Sequence, residues 1–153
     1  MIINANNGAG VTPIEEGGTG ARTARQARKN LGVTEIHLLY SDDATTGISQ
    51  QTIKLPQMMD YDYLELVIKV STTDNTFFTE KLPCIDGARI QATFVSSVPS
   101  PDINFIANTR FISIDSSTTL KVNPAYQKGA ATLNYVEVPT ILLPYEIYGV
   151  KVQ

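Results

Sequence analysis

The sequence predicts a mainly β chain: an antiparallel β-sandwich or jelly-roll-like domain, entered through a short glycine-rich segment with one short helix. Three observations predict it. Residues 36–153 hold every Tyr and Phe, and 34 of their 118 residues are Val, Ile or Thr, the composition of strands on a half-buried surface. Short runs of period two recur through that region, separated by clusters of Gly, Pro, Asn, Asp and Ser. Only one stretch of the chain carries a helix signature, and it lies before residue 35.

The composition changes near residue 35, which divides the chain into a connector, 1–35, and a β-domain, 36–153. The connector has six of the ten glycines, no aromatic residue, and four of the twelve basic residues, Arg22, Arg25, Arg28 and Lys29. Its helix is expected over about 23–31. Thr23 caps it, Gln26 stands three residues on as in a capping box, and Gly32 suits the left-handed position after the last turn. Two turns of helix are marginal alone in water, so the helix must dock on something. Its apolar stripe is narrow, Ala24, Ala27 and Leu31, and suits close approach to a symmetry mate or to the next domain.

Strands are expected from Ile36 to Ser41, over 61–70, at 89–96, over 103–115, at 118–122, over 131–138 and at 145–152. The run 61–70 is the clearest. Leu64, Leu66, Ile68 and Val70 share one face, and Tyr61, Tyr63, Glu65 and Lys69 the other. Ile90, Ala92 and Phe94 are expected to point inward. Over 103–115 the apolar parity changes, with Ile103, Phe105 and Ala107 on one phase and Ile112 and Ile114 on the other. A turn or bulge at Asn108-Thr109 is the expected reason. Asn123-Pro124 is read as a separator, which places Tyr126, Gln127 and Lys128 in a loop.

Length and charge set the outer limits. At 153 residues the chain can bury one core but is too short for an α/β barrel. A net charge of −3 does not favour nucleic acid or an anionic membrane. The first residues carry no basic n-region, and no apolar run is long enough to span a bilayer, so neither a secretory leader nor membrane insertion is expected. A single cysteine, Cys84, and a single histidine, His37, exclude an intrachain disulfide and the Cys- or His-rich metal sets, so no metal and no cofactor are expected.

The candidate chemistry is thin. His37 reads as a surface or interface residue, and Cys84 as a small buried hydrophobe. Asp42, Asp43, Asp60, Asp62 and Asp86 supply carboxylates, but glycoside hydrolysis needs two held at a set separation, and nothing pairs a particular two. Gly17-Gly-Thr-Gly20 is not a phosphate loop, because Ala21-Arg22 follows where Lys and Ser or Thr are required. The useful residues are aromatics beside hydrogen-bonding groups, the pattern that stacks a ring on a sugar and bonds its hydroxyls. Asp74, Asn75 and Phe77 form one such set, and Tyr126, Gln127 and Lys128 another.

The string Thr12-Pro-Ile-Glu-Glu-Gly-Gly-Thr-Gly-Ala21-Arg-Thr-Ala-Arg-Gln-Ala-Arg-Lys-Asn-Leu-Gly-Val33 resembles a segment of bacteriophage tail fibre proteins, prophage fibres and related injection-system fibres. Leu38-Leu-Tyr-Ser41, Asp60-Tyr-Asp-Tyr-Leu-Glu-Leu-Val67 and Tyr145-Glu-Ile-Tyr-Gly-Val-Lys-Val152 are similar, more loosely, to fibre-tip domains. The resemblance implies a connector between fibre shaft and distal β-domain, and a homotrimer in the virion that works by binding rather than catalysis. It implies partners: other tail fibre or baseplate proteins, and a host surface glycan or outer-membrane protein held without covalent chemistry. On that reading Gly17, Gly18, Gly20, Ala24, Ala27 and Leu31 are the expected contacts between copies. The rival expectations are a small glycan-processing enzyme using Asp74 or Asp86, and a purely architectural fibre connector.

Overall fold

The computed structural model describes residues 18–97, 105–129 and 134–152. By its contacts the chain divides into two compact units, Met1–Glu35 with Lys151–Gln153, and Ile36–Val150.

The first unit is organised by its helix, α1 (Ala24–Asn30). The Thr23 hydroxyl accepts from the Gln26 N–H at 3.1 Å, satisfying one orphan donor of the first turn. The reciprocal half of a capping box is not made, because the Gln26 amide donates instead to Asn30 Oδ1 at 2.7 Å. Gly32 takes φ +64, its N–H bonds the Lys29 carbonyl and the Val33 N–H bonds the Arg28 carbonyl, which completes a Schellman end. Asn30 also ties the preceding loop down: its Nδ2 donates to the carbonyls of Thr19 at 2.7 Å and Gly20 at 3.1 Å. Arg28 and Glu35 form an ion pair.

The second unit is a β-sandwich. Its strands are β1 (Glu35–Ser41), β2 (Gln51–Lys54), β3 (Tyr63–Ser71), β4 (Phe77–Pro83), β5 (Arg89–Ser96), β6 (Ile106–Ser116), β7 (Thr119–Gly129), β8 (Val136–Glu137) and β9 (Ile141–Lys151). One sheet has the order β1-β9-β3-β4. The other runs β2-β7-β6-β5, with β8 added beside the second half of β7. The registers of β3 with β4 and β9, β5 with β6, and β7 with β2, β6 and β8 are antiparallel. The inward residues of both sheets meet in one core. Leu64, Leu66, Ile68, Leu82 and Ile147 come from the first sheet, and Ile53, Ala92, Ile112, Ile114, Leu120 and Val122 from the second. Leu64, Leu66, Ile68 and Val70 are buried as the period-two pattern predicts, and Ala92 is fully buried with Ile90 and Phe94 packed against the core.

The structure departs from the sequence expectations on β6 and β7. No turn interrupts β6 at Asn108-Thr109. The inward parity continues unbroken through Asn108, Arg110, Ile112 and Ile114, and the apparent phase change arises because two inward positions are polar. Asn123-Pro124 is not a separator either. It lies inside β7, where the register against β6 shifts between Arg110 and Ile112. That bulge absorbs a proline that cannot donate to the ladder. Tyr126, Gln127 and Lys128 are therefore strand residues, not loop residues. Tyr61 precedes β3 and packs over Gly149 of β9. Of the strand expected over 131–138, Val136–Glu137 is formed, and residues 131–133 lie outside the described residues.

Arg110 is the unusual inward residue. It is fully buried, opposite Ala92 on β5 and Ala125 on β7, whose small side chains leave room for it. Its Nη2 donates to the Ile48 carbonyl at 2.8 Å, while Nε and Nη1 have no partner. Burial pulls its guanidinium down to about 10 against a partial restoring pull from Glu137.

Candidate functional site

Strand alternation turns the residues between the inward ones of β6 to the opposite face. Thr109 and Phe111 point away from the core there. The register sets Gln91 of β5 beside Phe111, and Tyr126 of β7 beside Thr109. Tyr135, just before β8, closes the far side. Together these five residues line a cleft of about 330 Å³ on the outer face of the second sheet. Tyr126 and Tyr135 are both exposed. Two cations sit on the rings: the Arg89 guanidinium is 4.8 Å from the Phe111 centroid, and Lys128 Nζ is 5.1 Å from that of Tyr135. The arrangement offers three aromatic rings, an amide, a hydroxyl and two phenols to one ligand. That chemistry suits stacking and hydrogen bonding rather than bond cleavage.

The residues singled out from sequence are distributed over both sheets. Tyr126 lines the cleft and Lys128 stands at its rim. Gln127 faces the other way, because it alternates with them in a strand, and its Nε2 donates to Asn108 Oδ1 at 3.1 Å. Asp74, Asn75 and Phe77 belong to the β3–β4 hairpin of the first sheet, so they do not join Tyr126 in one site. The Asp74 carboxylate accepts from the Thr76 N–H at 2.9 Å and the Thr76 hydroxyl at 2.7 Å, the bonding of a turn. Phe77 packs against Tyr145 in a tilted arrangement, with centroids 4.8 Å apart.

No family model, no curated protein and no solved structure matches this chain.

Of the expected contacts between copies, Gly17 lies outside the described residues, as does the Pro13–Glu16 part of the motif. Gly20 has a local role: it takes φ +62, which glycine alone adopts freely, and presents its carbonyl to Asn30. Gly18 and Ala27 are half-buried, Ala24 opens α1, and Leu31 is exposed.

Several of the remaining titratable candidates have local roles. The Asp42 and Asp43 carboxylates accept from the backbone N–H groups of Ala44 and Thr45. His37 rests against Tyr61 with ring centroids 5.8 Å apart. Burial, with the nearby Asp62 charge, pushes the Cys84 thiol up to about 11, so it stays protonated at neutral pH. Among the described residues no three His, Cys, Asp or Glu side chains gather as a metal-binding group. No described helix is long and apolar enough to cross a membrane.

The sequence reading missed Gln91, Thr109, Phe111 and Tyr135. A signal for two of them was present. Holding the phase of Ile112 and Ile114 back through Arg110 and Asn108 turns Thr109 and Phe111 outward. Only the register with β5 and β7 brings Gln91 and Tyr126 to them.

Proposed function

We propose that this chain is the receptor-binding end of a tail fibre. It holds a bacterial surface polysaccharide in the cleft of Phe111, Tyr126 and Tyr135, without covalent chemistry and as a homotrimer. The observation that carries this reading is the cleft itself. Its aromatic rings suit stacking on the apolar face of a pyranose, and Gln91, Thr109 and the two phenols suit its hydroxyls. The fibre assignment rests on the resemblance of the Thr12–Val33 segment. In the described part of that segment Asn30 donates to the carbonyls of Thr19 and Gly20, which ties the loop before α1 to the helix. An open cleft of this size gives weak single-site binding, and three copies on one fibre multiply it.

The test measures binding of the full chain to bacterial cells and to immobilised bacterial polysaccharides. Tyr126→Ala is expected to lower affinity about tenfold or more, the effect of removing a stacking ring worth about 1.4 kcal/mol. Retained binding in that variant, or no binding to any cell or polysaccharide, refutes the reading. Light scattering is expected to give three times the 16.7 kDa chain mass. A stable monomer refutes the trimer.

A further inference from the structure

Among the described residues, the outer face of the sheet that carries the cleft has a charge opposite to that of the chain. It presents Arg89, Lys54, Lys121 and Lys128 against Asp115 and Glu137, four cations to two carboxylates, while the whole chain stands at −3. The placement follows from alternation: Ile53, Ile114, Leu120 and Val122 are buried, so the residues between them turn outward. Two of the cations belong to the cleft. Arg89 sits on Phe111 and Lys128 on Tyr135, so each is held by a ring that also lines the binding surface. Along β6 they lie beside Ser113 and Ala107, six residues apart. At about 3.4 Å per residue their backbone positions are roughly 20 Å apart along the strand, with the charged ends leaning in onto the cleft rings. Among the described residues the carboxylates of this face stand diagonal to the two cations rather than across from them: Glu137 is beside Tyr126, and Asp115 lies two residues beyond Ser113.

We infer that the ligand of the cleft is an anionic polysaccharide, with carboxylate or phosphate groups spaced along the chain to meet Arg89 and Lys128 while its sugars stack on the rings between them. This rests on the reading of the cleft as a saccharide site and adds the charge of the saccharide. Two cations fixed at opposite ends select a repeating anion, because one small anion engages only one of them. Guanidinium and ammonium groups both recognise either anion, Arg in bidentate fashion.

The experiment uses the full chain and four probes: polygalacturonate, the same polymer after its carboxyl groups are reduced to alcohols, a glycosyl-phosphate polymer of the teichoic type, and single-stranded oligothymidine. Affinity for polygalacturonate or the phosphate polymer is expected to exceed that for the reduced polymer at least tenfold, and to fall as salt is raised. The polymer that binds identifies the anion. Arg89→Gln and Lys128→Gln are each expected to weaken that binding about fivefold with an unchanged circular dichroism spectrum. Equal affinity for the acidic and reduced polymers overturns the inference and leaves the saccharide reading standing. Failure of all three saccharides overturns both, as does oligothymidine binding more tightly than any of them.

Discussion

Arg110→Met tests the energetics of the core most directly. Arg110 is fully buried with one hydrogen bond, from Nη2 to the Ile48 carbonyl, and two nitrogens without partners. Burial pulls its guanidinium well below the ordinary arginine value, to about 10. At about 1.36 kcal/mol for each tenfold change in proton affinity, keeping the charge inside costs the fold roughly 3 kcal/mol. Methionine removes that cost and keeps the apolar stem. It gives back about 1 kcal/mol at the Ile48 carbonyl, which is only half-buried, and about 1 kcal/mol for the space of the missing guanidinium. The variant is therefore expected to be more stable by about 1 kcal/mol, a rise of roughly 2–4 °C in melting temperature for a chain of this size. The assay is denaturant and thermal unfolding of both proteins at one chain concentration, since assembly shifts apparent stability. The sign with pH is a second check. A base whose affinity is lowered by folding is penalised fully below its folded value of about 10, and the penalty fades as pH rises above it toward the higher unfolded value. The advantage of the variant should shrink across that window. A variant less stable than the parent by more than about 1 kcal/mol refutes the reasoning. It would mean that the buried guanidinium holds the sandwich together.

Gly149→Ala sets a Cβ 2.6 Å from the Tyr61 ring; it is expected to cost about 1–3 kcal/mol in chemical denaturation, and a double mutant with Tyr61→Ala should recover part of that loss. Cys84, held near 11 against 9.0 for a free thiol, should react with iodoacetamide at about pH 8 roughly a hundredfold more slowly in the native protein than after unfolding; equal rates would show that the thiol is not desolvated. Thr23→Ala removes the acceptor for the Gln26 N–H and should cost α1 about 1 kcal/mol, read as loss of hydrogen-exchange protection at Ala27 and Leu31, with the amides of β3 unchanged.

What was legible in the sequence follows from which residues are apolar. Leu64, Leu66 and Ile68 alternate with polar or half-exposed neighbours, so both the strand and its inner face could be read directly. Thr23 and Gly32 bracket a helix because their roles are local, fixed within one turn of chain. The second sheet was harder, because its inner face includes Asn108 and Arg110. A polar residue facing the core breaks the pattern on which period-two reading depends, and such a break reads as a turn or bulge. Pro124 misled for a related reason. A proline inside a paired strand needs a bulge to accept it, and the bulge is visible only in the register between β6 and β7. The cleft inherits both difficulties. Its residues come from three strands and the approach to a fourth, and no short window of sequence contains more than a few of them.

The same two strands therefore serve the core and the proposed binding surface. On β6 the order Asn108, Thr109, Arg110, Phe111, Ile112 sends alternate side chains to opposite faces, so the aromatic platform rests on a backbone fixed by buried neighbours. On β7 the bulge at Pro124 re-phases the strand, so that Ala125 and Gln127 turn inward and Tyr126 and Lys128 outward. Without it Tyr126 would take the inward side, where Ala125 now leaves room for Arg110. Inserting one alanine between Ala125 and Tyr126 is thus a perturbation of the site as much as of the fold. With Ala125 held opposite Arg110, the inserted residue takes the place beside Thr109 and Tyr126 is turned toward a core that already holds Arg110. Saccharide binding should then be lost. An insertion variant that folds and binds polysaccharide as the parent does would show that Tyr126 is not where the ligand sits.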